Sequence, residues 1–156
     1  MRLGNRVAIT ICEISAQQTL AIRLAILRAG MPPESARFPG DELETTRHFG
    51  AFLSDGTHVG VASIYPAPLP EAPEIANTWQ LRGMATLPEV RGQGAGRALL
   101  LACMEAARAQ GGTLLSCNAR TGALEFYRKH GLTTIGEEFE IPTAGPHFRM
   151  RISLVR

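Results

Sequence analysis

Apolar and polar residues alternate in some stretches of the chain, and in others the apolar residues recur every three to four positions. Alternation is the pattern of a half-buried strand, and the longer spacing is that of an amphipathic helix. The resulting order is strand, helix, strand, strand, strand, helix, strand, helix, strand, strand. The predicted strands are 6–12, 48–53, 58–65, 79–86, 113–117, 133–141 and 147–155. This order predicts an α/β fold in which one mixed sheet carries helices on both faces.

Short motifs mark the boundaries of several of these elements. Ser15 and Gln18 have the spacing of a capping box, which begins the first helix. The polar residues 54–57 separate two apolar runs, as the turn of a hairpin does. Prolines then fill 66–73, and because proline cannot donate a ladder hydrogen bond, we expect a loop outside the sheet there.

Composition narrows the class of protein. The chain has 156 residues, of which 45% are apolar, and this predicts a single globular domain over 1–156. A net charge of only +2 argues against nucleic-acid binding as the main task. Cys12, Cys103 and Cys117 lack the spacing of metal ligands or disulfides, so we expect no metal site and a cytoplasmic location. No apolar run has the length of a membrane span and no signal peptide is visible, so we expect no membrane association.

The stretch from Val90 to Leu100 places three glycines between a predicted strand and a helical pattern. Glycines allow tight turns and let a ligand approach backbone N–H groups. The first N–H groups of a helix have no intrahelical acceptor and carry partial positive charge, so they suit a phosphate. The spacing fits neither a P-loop nor a dinucleotide fingerprint. What remains is Arg-x-x-Gly-x-Gly across Arg91, Gly94 and Gly96, which predicts a phosphate cradle of another kind.

This pattern resembles the pyrophosphate-binding signature of the GNAT N-acyltransferase superfamily, whose members bind acetyl-coenzyme A. A second stretch, from Asn118 to Leu132, is similar to the second GNAT signature, Asn-x-x-Ala-x-x-Phe-Tyr-x-Lys-x-Gly-Phe. Here Leu132 replaces the final phenylalanine, and Ala123 lies later than usual after Asn118. The two motifs cover roughly the second half of the chain. The resemblance implies a GNAT-like fold with a twisted central sheet.

The resemblance also implies how a cofactor would bind. In GNAT folds the fourth and fifth strands splay apart, and the pantetheine arm of acetyl-coenzyme A lies between them. The backbone of Met84, Ala85 and Thr86 would then bind pantetheine. Asn118 and Arg120 would lie near the path of the cofactor. The pyrophosphate would be held by Arg91, Gly92, Gln93, Gly94, Ala95, Gly96, Arg97 and Ala98.

The chemistry of amine acetylation requires an acid, a base and an oxyanion donor. A thiolate with a pKa of about 8.5 can take a proton from a phenol with a pKa of about 10. Tyr127 occupies the position of the general acid in many GNAT members. The helix that holds it is expected to begin with Thr121 as N-cap and to end at Gly131. We expect Phe126 to face the core and Tyr127 to face the thioester, with the Met84 or Ala85 N–H polarising the carbonyl.

The general base is less well defined by the sequence. His147 begins the last predicted strand, and histidine titrates near neutrality. Glu137, Glu138 and Asp41 are alternatives, although each also suits a solvated surface charge. Cys117 is a possible covalent acyl carrier, but a small buried thiol is the better interpretation.

Together these residues predict an N-acetyltransferase that transfers an acetyl group from acetyl-coenzyme A to a primary amine. The amine would attack directly in a ternary complex, and it would belong to a small molecule or to an exposed amino group of a protein. A catalytically inactive module that binds or senses acyl-coenzyme A is the alternative. The strongly alternating C-terminal strand also suggests a homodimer formed by pairing of its edge with a second subunit.

Overall fold

The structure is a computed structural model and describes residues 8–142 and 144–156. Those residues contain the strands and helices in the order predicted. The first half consists of β1 (Ile9–Ile14), α1 (Ala16–Leu27), β2 (Arg47–Leu53), β3 (His58–Pro66) and β4 (Thr78–Thr86). The second half consists of α2 (Ala95–Ala109), β5 (Leu114–Arg120), α3 (Leu124–Lys129), β6 (Thr133–Ile141) and β7 (Gly145–Ser153). Residues 6 and 7 of the predicted first strand lie outside the described residues.

The strands form one mixed sheet in the order β1-β2-β3-β4-β5-β7-β6. The pairs β1–β2, β2–β3, β5–β7 and β6–β7 are antiparallel, whereas β4 and β5 are parallel. The chain divides into two compact units, and β4 runs from one into the other. Unit 1 comprises the residues up to Ile64 and Gly83–Cys103, and unit 2 comprises Tyr65–Arg82 and Met104–Arg156.

In unit 1, α1 packs against the sheet. The predicted capping box is confirmed: Gln18 N–H donates to Ser15 Oγ at 3.3 Å, and Ser15 N–H donates to Gln18 Oε1 at 2.9 Å. The buried apolar cluster of this unit joins α1 to three strands and consists of Ile14, Ile22, Val61 and Ala85. Burial of these side chains supplies the main driving force for packing the helix on the strands.

In unit 2, the two faces of the β5–β7 pair differ in character. Leu115, Cys117 and Ala119 are paired with Ile152, Met150 and Phe148, so one face is apolar. A Cβ at Gly131 would lie 3.1 Å from Ile152 Cδ1, which places the end of α3 on that apolar face. Gly131 has φ +96°, so it caps α3 as predicted.

The predicted end of β5 and the predicted start of α3 are wrong. Strand β5 extends to Arg120, so Arg120 lies in the strand rather than beyond its end. Helix α3 begins at Leu124 after a 3-10 turn over Thr121–Ala123. Ala123, not Thr121, is the N-cap of α3, and the Thr121 hydroxyl donates to Glu138 Oε2 at 2.7 Å.

The position of β7 contradicts the argument for a dimer. Strand β7 begins at Gly145, ends at Ser153 and lies between β5 and β6, so both of its edges are already paired. It offers no open edge to a second subunit. The homodimer therefore stays a prediction without this support. No helix in the described residues is long and apolar enough to cross a membrane.

Candidate active site

The glycine-rich segment of unit 1 connects the end of β4 to α2. A short 3-10 helix, Pro88–Val90, follows β4, and Val90 is buried. Arg91 N–H donates to the Pro88 carbonyl at 3.2 Å, and Gln93 N–H donates to the Val90 carbonyl at 3.1 Å. These bonds fix the start of the segment, while the residues that follow are exposed.

Two of the predicted cradle glycines have backbone conformations that favour glycine. Gly92 has φ +78° and Gly94 has φ +93°. A Cβ added at either position would meet no atom within 4 Å. The surface of the segment is therefore open, and a side chain at Gly94 would project into space that a bound group can occupy.

The N-terminus of α2 adds hydrogen-bond donors to this segment. Ala98 N–H donates to the Gly94 carbonyl at 2.9 Å. This is the first hydrogen bond of the helix. The N–H groups of the residues just before Ala98 therefore have no intrahelical carbonyl acceptor. No acidic residue lies in the first turn of α2. Gly96 belongs to the helix rather than to the loop, because α2 begins at Ala95.

The end of β4 is held by close packing on both sides. A Cβ at Gly60 would lie 3.0 Å from Leu99 Cδ1 and 3.3 Å from the Ala85 carbonyl oxygen, so α2 and β4 approach β3 as closely as a glycine allows. Gly83 has φ +66°, and a Cβ there would lie 3.1 Å from Arg23 Nε. Met84, Ala85 and Thr86 therefore follow a bend in β4 whose position is fixed by its neighbours.

A buried ion pair lies beside this bend. Arg23 on α1 is 0% exposed and donates two hydrogen bonds to Asp41, at 2.7 Å and 3.2 Å. It also donates to the Ala36 carbonyl at 3.0 Å and to Ser63 Oγ at 3.0 Å. Phe38 N–H donates to Asp41 as well, at 2.8 Å. Asp41, an alternative base in the sequence analysis, is thus a buried partner of Arg23, and its role as a base is wrong.

His48 extends the same network. Its Nε2 lies 2.9 Å from the Asp41 carbonyl oxygen, which can only accept, so Nε2 carries a proton. Its Nδ1 forms a hydrogen bond of 2.6 Å with Ser63 Oγ. Every polar atom of His48 is engaged, so it has a structural role. No sequence pattern predicts this network, because its members lie far apart along the chain.

Tyr127 is more buried than Phe126, the reverse of the burial predicted for the two rings. Tyr127 is 7% exposed, whereas Phe126 is half-buried. Their rings meet edge to face with centroids 5.0 Å apart. The prediction that Phe126 is the core residue is wrong, because α3 has only six residues and its N-cap is Ala123, two residues later than expected. That Tyr127 faces the thioester stays a prediction. The candidate general acid, Tyr127, and the candidate general base, His147, both lie in unit 2.

His147 is the third residue of β7 and is buried, at 4% exposure. Its Nδ1 lies 2.7 Å from the Gly145 carbonyl oxygen, so Nδ1 donates and Nε2 keeps a lone pair. Its ring lies 6.1 Å from the Phe139 ring. In the register of the sheet it is opposite Arg120. A histidine held in this tautomer is able to accept a proton at Nε2.

Asn118 already has a side-chain partner. Arg149, opposite it on β7, donates from Nη1 to Asn118 Oδ1 at 2.8 Å. The Nε of Arg149 also donates to Glu71 in the proline-rich loop at 2.9 Å. Neither Arg149 nor Glu71 was among the residues predicted from the sequence.

The remaining candidates have other roles or surroundings. Glu137 and Glu138 are exposed, and Glu138 accepts the hydrogen bond from Thr121. Burial raises the pKa of the Cys117 thiol to about 12, so the thiol stays protonated and agrees with a buried structural cysteine. Among the described residues, no cluster of three or more metal-ligating side chains occurs.

Comparison with known proteins identifies the class. Residues 18–132 match the sequence profile of the Acetyltransferase (GNAT) family. The chain therefore belongs to the GNAT family and is an acetyltransferase.

Individual relatives agree with this assignment. The chain is 37% identical over 137 residues to the uncharacterized N-acetyltransferase YitI of Bacillus subtilis strain 168, covering 88% of this chain and 91% of the relative. A GCN5-related N-acetyltransferase from Kribbella flavida is 25% identical, with a TM-score of 0.70 over 94% of this chain and 98% of that one. An aminoglycoside 6'-N-acetyltransferase complexed with coenzyme A is 14% identical, with a TM-score of 0.74 over the same shares. The last of these supports the fold alone.

Proposed function

We propose that the protein is an acetyl-coenzyme A-dependent N-acetyltransferase whose acceptor is a primary amine, belonging to a small molecule or to a protein amino group. The whole chain acts as one domain, and the amine attacks directly in a ternary complex. The observation that carries this proposal is the open backbone at Gly92 and Gly94, which leads directly into the N-terminus of α2. It supports binding of a pyrophosphate by N–H groups.

The residues of the segment fit such a group. The N–H groups from Gly94 to Arg97 would donate to the pyrophosphate, and Arg91 and Arg97, both exposed, would add positive charge. The backbone of Met84, Ala85 and Thr86 would bind the pantetheine arm. Acetyl-coenzyme A supplies an activated acetyl thioester when bound.

The protein's own residues would then move the protons. The Met84 or Ala85 N–H would donate to the acetyl carbonyl oxygen. His147 would accept the proton of the amine at Nε2, directly or through water. Tyr127 would protonate the departing sulfur.

Replacing Gly94 tests the cofactor site. Gly94→Val should weaken acetyl-coenzyme A binding at least about tenfold, because a branched side chain fills the open space and strains a residue at positive φ. Gly56→Val is the matched control. Gly56 has φ +91° and equally open surroundings, but it lies in the turn between β2 and β3. The Gly56→Val variant should lose about as much stability as Gly94→Val but keep the wild-type affinity for acetyl-coenzyme A. Titration calorimetry would measure that affinity.

The outcomes separate the alternatives. If the wild-type chain does not bind acetyl-coenzyme A, or if Gly94→Val and Gly56→Val bind it equally well, the proposed cofactor site is wrong. Tight binding with no thiol release across a broad panel of amines would instead favour the inactive acyl-coenzyme A-binding module.

A further inference from the structure

Unit 2 presents a basic sheet face opposite its apolar one. Directly paired residues of neighbouring strands point to the same side of a sheet. Arg120 is paired with His147, Asn118 with Arg149, and Ser116 with Arg151. We call this side the arginine face. It carries Arg120, Arg149 and Arg151 beside the candidate base.

The paired positions of β6 add no acid to the arginine face. Thr133, Ile135 and Phe139 are paired with Arg151, Arg149 and His147, so they share that face. Glu140 is paired with Pro146 and lies on the other side. Among the paired positions of β5, β6 and β7, the arginine face therefore has three guanidinium groups and no carboxylate.

Three neighbouring side chains hold the Arg149 guanidinium. Its side chain is 18% exposed and is fixed by Glu71, by Asn118 and by the Phe139 ring, whose centroid is 5.6 Å from Arg149 Cζ. The described contacts use its Nε and Nη1, and a guanidinium has five N–H donors. A guanidinium that is held in place, mostly buried and has N–H donors beyond those used in these contacts can bind an anion.

The contact with Glu71 shows that the Arg149 guanidinium binds a carboxylate. The carboxylate reaches Arg149 from a loop that is pinned at both ends: Ala67 N–H donates to the Thr78 carbonyl at 3.0 Å, and Thr113 Oγ1 donates to the Ala76 carbonyl at 2.7 Å. The Glu71 side chain remains 39% exposed, so a solute carboxylate can compete with it for Arg149.

We propose that the arginine face binds the acceptor, and that the acceptor carries a carboxylate or phosphate in addition to its amine. Arg149 binds the anionic group, and His147, two residues away on the same face of β7, faces the amine. This inference rests on the proposed function. It adds a substrate class, namely anionic amines, and one specificity-determining residue, Arg149.

Matched acceptors test the substrate class. We would measure kcat/KM by thiol release for 4-aminobutyrate against butylamine, and for 2-aminoethyl phosphate against ethanolamine. The anionic member should be preferred by about tenfold to a hundredfold, because hydrogen bonds to charged groups are the stronger ones. The pair with the larger ratio identifies carboxylate or phosphate as the anionic group.

Arg149→Gln should lower that ratio at least about tenfold, mainly by raising KM for the anionic amine. A general structural loss would lower both members of a pair equally and would leave the ratio unchanged. Arg47→Gln is the matched control, because Arg47 also pairs with a glutamate, Glu13, and lies 5.8 Å from an aromatic ring. It is on β2 in unit 1, and its ratio should equal that of the wild type.

Equal kcat/KM within both pairs, or an unchanged ratio in Arg149→Gln, would overturn the inference while leaving the proposed acetyltransferase intact. If none of the four amines is acetylated, calorimetry on the coenzyme A-loaded protein decides: failure of both anionic amines to bind overturns the inference. Failure of coenzyme A itself to bind overturns the proposed function instead.

Discussion

Tyr127→Phe should lower kcat by about 10²–10⁴-fold at neutral pH, the usual contribution of general acid catalysis. The substitution keeps the ring, which is buried against Phe126, and removes only the hydroxyl. Affinity for acetyl-coenzyme A and the melting temperature should change little. Because a thiolate leaves without protonation at high pH, the loss should shrink as the pH rises. Steady-state kinetics between pH 6 and pH 10, chosen to span about the pKa of a thiol, would show both effects.

Tyr65→Phe is the control for this substitution. Tyr65 is the other tyrosine of the chain, and its ring lies 4.3 Å below the Arg82 guanidinium. Its hydroxyl has no part in the proposed reaction, so kcat should stay near the wild-type value. If Tyr127→Phe keeps full activity with a good acceptor at neutral pH, Tyr127 is a packing residue and the proposed acid is wrong.

Asp41→Ala should destabilise the protein by about 3–5 kcal/mol, because it leaves the Arg23 guanidinium buried without its counter-ion. Typical domains have a free energy of unfolding of only about 5–15 kcal/mol, so much of the folded population should be lost on mild heating. Urea denaturation would measure the shift in midpoint at constant slope. Removal of Asp41 also frees the Phe38 N–H, which adds to the loss.

Glu13→Ala is the matched control, since Glu13 forms a similar two-bond pair with Arg47 at the surface. The hydrogen bond from Arg47 holds the pKa of Glu13 below its usual range, but an exposed pair contributes only about 0–1 kcal/mol. The double variant Arg23→Met with Asp41→Ala should lose less than the sum of the single losses. Equal effects of Asp41→Ala and Glu13→Ala would contradict a stabilising role for the buried pair.

Local signals in the sequence were sufficient for the elements and for the cofactor segment. The capping box at Ser15 and the turn conformations of Gly92 and Gly94 are determined by neighbouring residues, so the sequence alone predicts them. The burial of Tyr127 could not be predicted from the sequence, because it depends on where a six-residue helix begins.

Contacts between residues far apart along the chain could not be predicted from the sequence, for a physical reason. Asp41 has the composition of a surface acid, and only the fold brings Arg23 to it. Arg149 and Glu71 are 78 positions apart, and no periodicity relates them. Likewise, the alternation within β7 reports which residues share a face but does not report whether the strand lies at the edge or inside the sheet.

Strand β6 ends the sheet on one side, and its sequence has a consequence for behaviour at high concentration. An open strand edge can recruit strands from other molecules and so start aggregation. Here the register with β7 shifts between Ile135 and Phe139, and Gly136 has φ +73°, so the edge is kinked. Glu137, Glu138 and Glu140 follow the kink. A second molecule adding its own β6 would bring two such acidic runs together on an irregular edge, so we expect this strand to oppose fibrillar growth.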